Sequence, residues 1–270
     1  MSVLRAYGWE TRKLARQKRT WAGLGAAMLY ALAFVIALSV KKHAGIPPDI
    51  PLAREVTKTG VVLPLALLSF ATFFGAPVIS SLVAGDIVSS EDANNTLKMI
   101  LTRSTGRGTI YTAKALAAAT YGVALIAVLF ATAAVASIVS WGLHSVTLLD
   151  GQTASGAHAL ALDALAYATY LLPLAVLVSV AFFLSTATRN SAAAIVGTVI
   201  FVLAFEGVAA LPGLQGAKPY LLPQQFDAWQ ALFGKAGPSV TRAAWTCAIY
   251  SIIPLAAGWA IFARRDVAGA

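Results

Sequence analysis

A single cysteine, Cys247, and three histidines, His43, His144 and His158, are the only thiol and imidazole groups in 270 residues. One thiol excludes an internal disulfide and any cysteine-based metal cluster. Cys247 lies in an apolar run and is expected to be a small buried residue that says little about redox compartment. The histidines are too far apart in sequence to read as a ligand set. Charge is scarce as well: Asp, Glu, Lys and Arg make up 11% of the chain, where soluble domains carry about 25%. There is no G-x-x-x-x-G-K-[ST] phosphate loop, no H-E-x-x-H and no G-x-S-x-G, so the chain is not expected to hold ATP itself or to run a zinc or serine hydrolase. Glu206 is the one carboxylate well inside an apolar run, and a lone acid makes no acid–base pair. Nor is there an internal repeat or a low-complexity tail.

What is present is hydrocarbon-compatible sequence. Hydrophobic residues make up 59% of the chain, and six apolar windows reach the roughly 20 residues that cross a bilayer. They run at about 20–40, 60–84, 109–141, 163–187, 191–211 and 243–263. The expected fold is an all-α polytopic membrane protein with six transmembrane helices in one domain, residues 20–270, preceded by an interfacial helix at 1–19. The third window is too long for the bilayer, and its first turns, through Lys114, are expected to project into water.

The net charge of +9 sits at the ends of apolar runs rather than on one stripe, which points to topology control and lipid headgroups, not nucleic acid. With the N-terminus inside, 13 of the 20 cations fall in inside segments and 7 outside, so both termini are expected in the cytoplasm, at the plasma (inner) membrane. Residues 1–19 are basic, but the following run is too long for a secretory core. On a helical wheel Val3, Leu4, Tyr7, Leu14 and Ala15 gather opposite Arg5, Arg12, Arg16 and Arg19, which describes an amphipathic helix lying on the cytoplasmic leaflet. Trp9 falls on the basic side, where it suits a packing partner better than lipid.

Among the outside segments, 41–59 carries Pro47, Pro48 and Pro51 and is expected to be irregular, and 142–162 is expected as a loop holding His144 and His158. In "PQQFDAWQALFG", Phe226, Trp229 and Phe233 share a helical face that suits the outer headgroup level, with Gly234 as a stop. Pro64, Pro77, Pro173 and Pro254 interrupt spans. Pro77, two residues after Gly75, is the best hinge candidate, with plain packing as the other reading. Glu206 either lines a route for a cationic group, or pairs with Arg242, or is protonated.

The most polar long stretch is "DIVSSEDANNTLKMILTRSTGRGTIYTAK", residues 86–114. Ser89 reads as an N-cap with Glu91 and Asp92 in the first turn, Lys98 and Arg103 complement the other end of the dipole, and Gly106 ends the pattern. Leu97, Ile100 and Leu101 share an apolar face that wants a docking site. Glu91, then Asn95-Thr96-Leu97-Lys98, then Ile100 and Leu101, then Arg103 to Arg107, then Lys114 resemble the signature of ABC-2 type transporter permeases. Asn95 stands where Gly is usual and Ser104 where Pro is usual. The six windows, the basic N-terminal helix and the short "TATRNS" link also match that family.

The resemblance implies an exporter half: two permease chains as a dimer, a homodimer more than a heterodimer, with two separate ABC ATPase subunits beneath that would bind ATP and Mg. It makes 86–108 the coupling segment, with Glu91, Thr96, Leu97, Lys98, Ile100, Leu101, Arg103 and Arg107 facing the ATPase and Thr188–Asn190 as a second contact. Phe70, Phe73, Phe74, Pro77 and Glu206 become pathway candidates, with no catalytic residue in this chain. The composition of that pathway points to an apolar or amphiphilic cargo. The alternative is a membrane anchor or assembly subunit that transports nothing; a self-contained carrier would show more intramembrane charge.

Overall fold

A computed structural model describes residues 2–41, 59–72, 75–94, 96, 106–147, 153–214, 216–233 and 238–264. The protein is an all-α membrane protein. Helix α1 (Val3–Ala15) leads into α2 (Lys18–Lys41). A 3-10 turn at Gly60–Val62 opens α3 (Leu63–Ala71), followed by α4 (Gly75–Ala84) and the short α5 (Ser89–Ala93). Then come α6 (Arg107–Trp141), a two-stranded hairpin of β1 (Val146–Thr147) and β2 (Thr153–Ala154), α7 (Gly156–Thr188) and α8 (Ser191–Ala210). After α9 (Leu222–Phe226) and a 3-10 segment at Ala228–Phe233, α10 (Val240–Ala263) completes the described bundle.

Five of these helices, α2, α6, α7, α8 and α10, are long and apolar enough to cross a membrane. The pair Gly60–Ala71 and Gly75–Ala84, inclined by 68°, would make a sixth span if it acts as one. The single window expected at 60–84 is thus two helices. Pro77 lies in the first turn of α4, where no intrahelical donor is required, so the break precedes it rather than being centred on it. Pro173 and Pro254, by contrast, sit inside unbroken α7 and α10. Phe73 and Phe74 lie outside the described residues, as do Leu97, Lys98, Ile100, Leu101, Arg103, the Pro-rich segment 42–58 and Gly234.

Helix α7 is the spine. Of its most apolar stretch 61% is buried, against 17% for α8, and it packs on α10, α8, α6 and α4. On α10, Gly258 leaves room for α6: a Cβ there would come within 2.6 Å of the Tyr111 hydroxyl. Tyr111 uses that space to donate to the Leu255 carbonyl at 2.6 Å, with its ring 5.0 Å from Phe182 and 5.5 Å from Phe262. Cys247 is buried in the core, as its surroundings in sequence led one to expect.

The bundle has two chemically different ends. The basic end collects α1, α5, Arg107, Arg189 and Arg264; the hairpin end collects Gly60, the β1–β2 hairpin and the starts of α7 and α10. At the hairpin end the segment expected as a loop, 142–162, instead contains the hairpin and the first two turns of α7, begun by Ser155 accepting from the His158 amide. The aromatic face of Phe226, Trp229 and Phe233 exists but points inward. All three are buried, and Phe226 stacks 5.3 Å from Tyr170. Burying a ring against protein satisfies it more completely than a headgroup layer does, so this face completes the core instead of forming an aromatic belt.

Candidate functional site

Four ionisable side chains meet at the basic end. Helix α1 supplies Glu10 and Lys13, three residues apart and therefore on one face. Glu91 comes from the first turn of α5 and Lys114 from the second turn of α6. Lys13 pairs with Glu91, and its Nζ lies 2.6 Å from Glu10 Oε2. Lys114 Nζ is 3.0 Å from Glu10 Oε1 and 2.7 Å from Glu91 Oε2, the latter close in distance without hydrogen-bond alignment. It also donates to the Ile87 carbonyl at 3.4 Å. Two cations and two anions make the cluster neutral. Lys114, expected to project into water, is instead fully buried, with 0% exposure, while Glu10 is 3% exposed and Glu91 8%. The reason is α1, which packs along α6 and covers its first turns.

The local sequence explains why α5 sits there. The orphan amides of Val88 and Ser89 donate to Ser185 Oγ on α7, at 3.4 and 3.1 Å. Ser89 is not the N-cap its spacing suggested: its hydroxyl donates to the Gly85 carbonyl at 2.9 Å and lies 2.8 Å from the Ser191 hydroxyl. Ser191 donates to Asp86, which also pairs with Arg19, and Arg189 pairs with Asp92 at 3.3 Å. The α7–α8 link therefore grips α5 directly. Arg189 takes a left-handed turn and Asn190 caps α8 through the amides of Ala192 and Ala193.

Helix α1 is amphipathic as expected, but the face against the bundle is Ala6, Glu10 and Leu14, with Tyr7 bonding Thr120 at 2.7 Å. Leu4 is left 77% exposed. Burial of Glu10 with Ala6 and Leu14 docks α1 on protein along that stripe, and Leu4 lies off it, uncovered by this chain. Trp9 stays 50% exposed, its ring 5.2 Å from the Lys13 ammonium one turn along the same helix.

Burial alone would raise the Glu91 carboxyl, but Lys114 and Lys13 outweigh it and hold the group below the usual carboxylate range. Burial lowers the Lys13 ammonium, and Glu91 and Glu10 more than reverse this, leaving it raised. A depressed acid stabilises the fold above its unfolded value, about 4.3, and that contribution is lost as pH falls through the folded value. A raised lysine contributes below its unfolded value, about 10.4, and loses the contribution as pH rises through the folded one. Thermal melts against pH should accordingly fall off in the acid limb, and Glu91→Gln should flatten that limb. A Glu91→Gln profile parallel to wild type would contradict this.

Beside the cluster an open cleft of about 540 Å³ is lined by Trp9, Lys13, Gln17, Lys18, Arg19, Asp86, Ser90, Glu91, Asn94 and Thr96. Thr96 donates to the Glu91 carbonyl at 3.2 Å. Of the other expected coupling residues, Arg107 is turned aside and donates to the Ala263 carbonyl at 2.5 Å, capping α10. Of the pathway candidates, Phe70, Pro77 and Glu206 are among the described residues. Phe70 is 43% exposed and stacks on Phe34 at 5.5 Å, and Pro77 is buried. Glu206 is half-buried on α8 and lies in the field of Asp227. No ion pair joins it to Arg242 among the described residues; that guanidinium sits 5.8 Å from the Tyr220 ring.

Glu10 and Asp163 were not singled out from sequence. Glu10 is the only carboxylate among the first 48 residues, and six cations share the first 19 with it, so a lone acid in a basic helix was the available signal. No curated protein matches the chain. A family model described as "Protein of unknown function (DUF2705)" matches residues 51–268, which span α3 to α10 and include α5 and Lys114. The chain belongs to that family.

Proposed function

We propose that this chain is the permease subunit of an ABC-type exporter, working as a dimer, more readily a homodimer, with two copies of a separate ATPase. In this reading the bent pair is the second of six spans, both termini are cytoplasmic, the protein resides in the plasma (inner) membrane and the basic end faces the ATPase. The ATPase binds ATP and Mg, and this chain binds neither.

The observation that carries the proposal is the buried four-charge cluster at the head of the 86–108 segment. A coupling element must transmit displacement without yielding. Glu91 cannot leave its site without leaving Lys13 and the fully buried Lys114 to share Glu10 as their one remaining counterion, a loss of about 3–5 kcal/mol. A push on α5 therefore moves α1, α6 and α7 as one body. Work on the membrane helices requires contacts that differ between two states, and the open cleft beside Glu91, with polar and charged walls, offers a surface on which an ATPase can make them.

Co-expressed with a phosphate-loop ATPase from the neighbouring reading frame, the chain should form a complex in which ATP hydrolysis and export rise and fall together. A complex that hydrolyses ATP but moves nothing would favour a membrane anchor instead. A purified chain that transports with no nucleotide-hydrolysing partner would contradict the proposal outright.

A further inference from the structure

The opposite end of the bundle holds a second ionisable group that the exporter reading does not use. Asp163, two turns into α7, is 0% exposed, and neither carboxylate oxygen has a hydrogen-bond partner. Its level in the bundle follows from its neighbours. One turn further along α7, the Tyr167 hydroxyl donates to the Pro64 carbonyl at 2.8 Å, and the Tyr167 ring packs 5.0 Å from Phe130 of α6. One turn back from Pro64 is Gly60, so close to α6 that a Cβ there would overlap the Ser137 carbonyl. Gly60, Ser137 and Asp163 therefore share one layer between the 3-10 turn, α6 and α7. The Ser137 hydroxyl is likewise fully buried with no partner. A lid of Val61, Val62, Leu63, Trp141, Val146, Ala154 and Ala159 closes this layer from the hairpin side.

Among the described residues no cation answers the carboxyl. Of the elements packed here, described α6 beyond Lys114 carries only Tyr121 as a titratable group, and Gly60–Ala71 and the hairpin strands carry none. On α7 itself Tyr167 lies in the field of Asp163, and His158 is exposed at the helix start. His144, after α6, is also exposed. Tyr30 of α2 and Asp227 act on the tyrosines Tyr167 and Tyr170 rather than on Asp163. Among the described residues no group of three His, Cys, Asp or Glu gathers that could hold a metal. An ionised carboxylate sealed in this way costs far more than a neutral acid, and such groups neutralise instead of paying it.

We infer that Asp163 is a proton-binding site: the packed state holds it as the neutral acid, and separation of the α6, α7 and Gly60 layer releases the proton to water. One proton leaves the carboxyl oxygen, the carboxylate is solvated as it forms, and reclosure takes a proton back. The inference does not depend on what drives the separation, so it can fail while the exporter reading stands, and the reverse.

The test is the infrared spectrum of the full-length protein in lipid at about pH 8, well above the ordinary carboxylate value of about 4. The expected result is a carboxylic-acid C=O band that moves in D₂O and is lost in Asp163→Asn, whose amide copies the shape of the neutral acid. Should that variant fail to accumulate, Asp163→Glu is expected to shift the band. A spectrum with no acid band, or with one unchanged by substitution at Asp163, overturns the inference. So does a carboxylate band at Asp163 that responds to added sodium, since the ligand would then be a metal cation rather than a proton.

Discussion

Replacing Lys114 by Met is expected to lower stability by about 3–5 kcal/mol, because it leaves Glu10 and Glu91 buried with one shared cation instead of two. Met keeps the length and the apolar stem, so the loss reports charge, not volume. The predicted signature is a lower unfolding midpoint in detergent together with release of α1, whose docking face is built around Glu10. Adding Glu10→Gln and Glu91→Gln to Lys114→Met should recover most of the loss, since removing a whole buried ionic network is often neutral where removing one member is not. Arg12→Met, on an exposed position of the same helix, is the control and should change stability by less than about 0.5 kcal/mol. If Lys114→Met melts like wild type, the cluster does not hold the basic end together.

Glu91→Lys should have a larger effect still. It would set a third cation beside Lys13 and Lys114, in a site only 8% exposed, where like charges repel and are poorly solvated. A residue that served only as a surface contact would tolerate such a reversal, which would weaken docking and leave the fold intact. Glu91 differs, because it is a structural counterion before it is a docking residue. Little folded protein should accumulate, and Glu91→Gln should be the milder form, folded but with a weakened α1–α5 junction. Compensation by Lys13→Glu in the reversed background is expected to be partial, since it restores the net charge but leaves the geometry around Lys114 altered. Expression yield and the unfolding midpoint of the four proteins decide it. A Glu91→Lys protein as stable as wild type would remove the basis for treating α5 as rigidly seated.

Long apolar runs were legible because hydrocarbon imposes a length: α6 ends at Trp141 and α8 starts at Ser191, where the sequence placed them. Helix α7 starts seven residues earlier than its apolar window, at Gly156 rather than 163, because Ser155 caps a start that hydropathy cannot see. The charged segment around Glu91 was legible as a feature with a purpose, and its two acids do fall in the first turn of α5. What stayed hidden was partnership. Lys114 looks solvent-facing by its chemistry, and only the docking of α1, more than 90 residues away in sequence, takes it out of water. Phe226, Trp229 and Phe233 show the same lesson in reverse, since periodicity identified their shared face but could not say whether lipid or protein covers it. Asp163 was passed over because it stands at the edge of an apolar window, where a carboxylate costs nothing until a hairpin closes over it.

The claim on which the rest depends is that the basic end, with α5 and the cleft beside it, faces the cytoplasm and an ATPase. Asn94 is exposed beside the cleft, and the native Cys247 is buried, so an Asn94→Cys protein presents one accessible thiol. Labelling it with a membrane-impermeant maleimide in sealed vesicles of both orientations is the most direct measurement. The account predicts modification from the cytoplasmic face alone, with protection when the ATPase is bound. Modification from the outer face would contradict it.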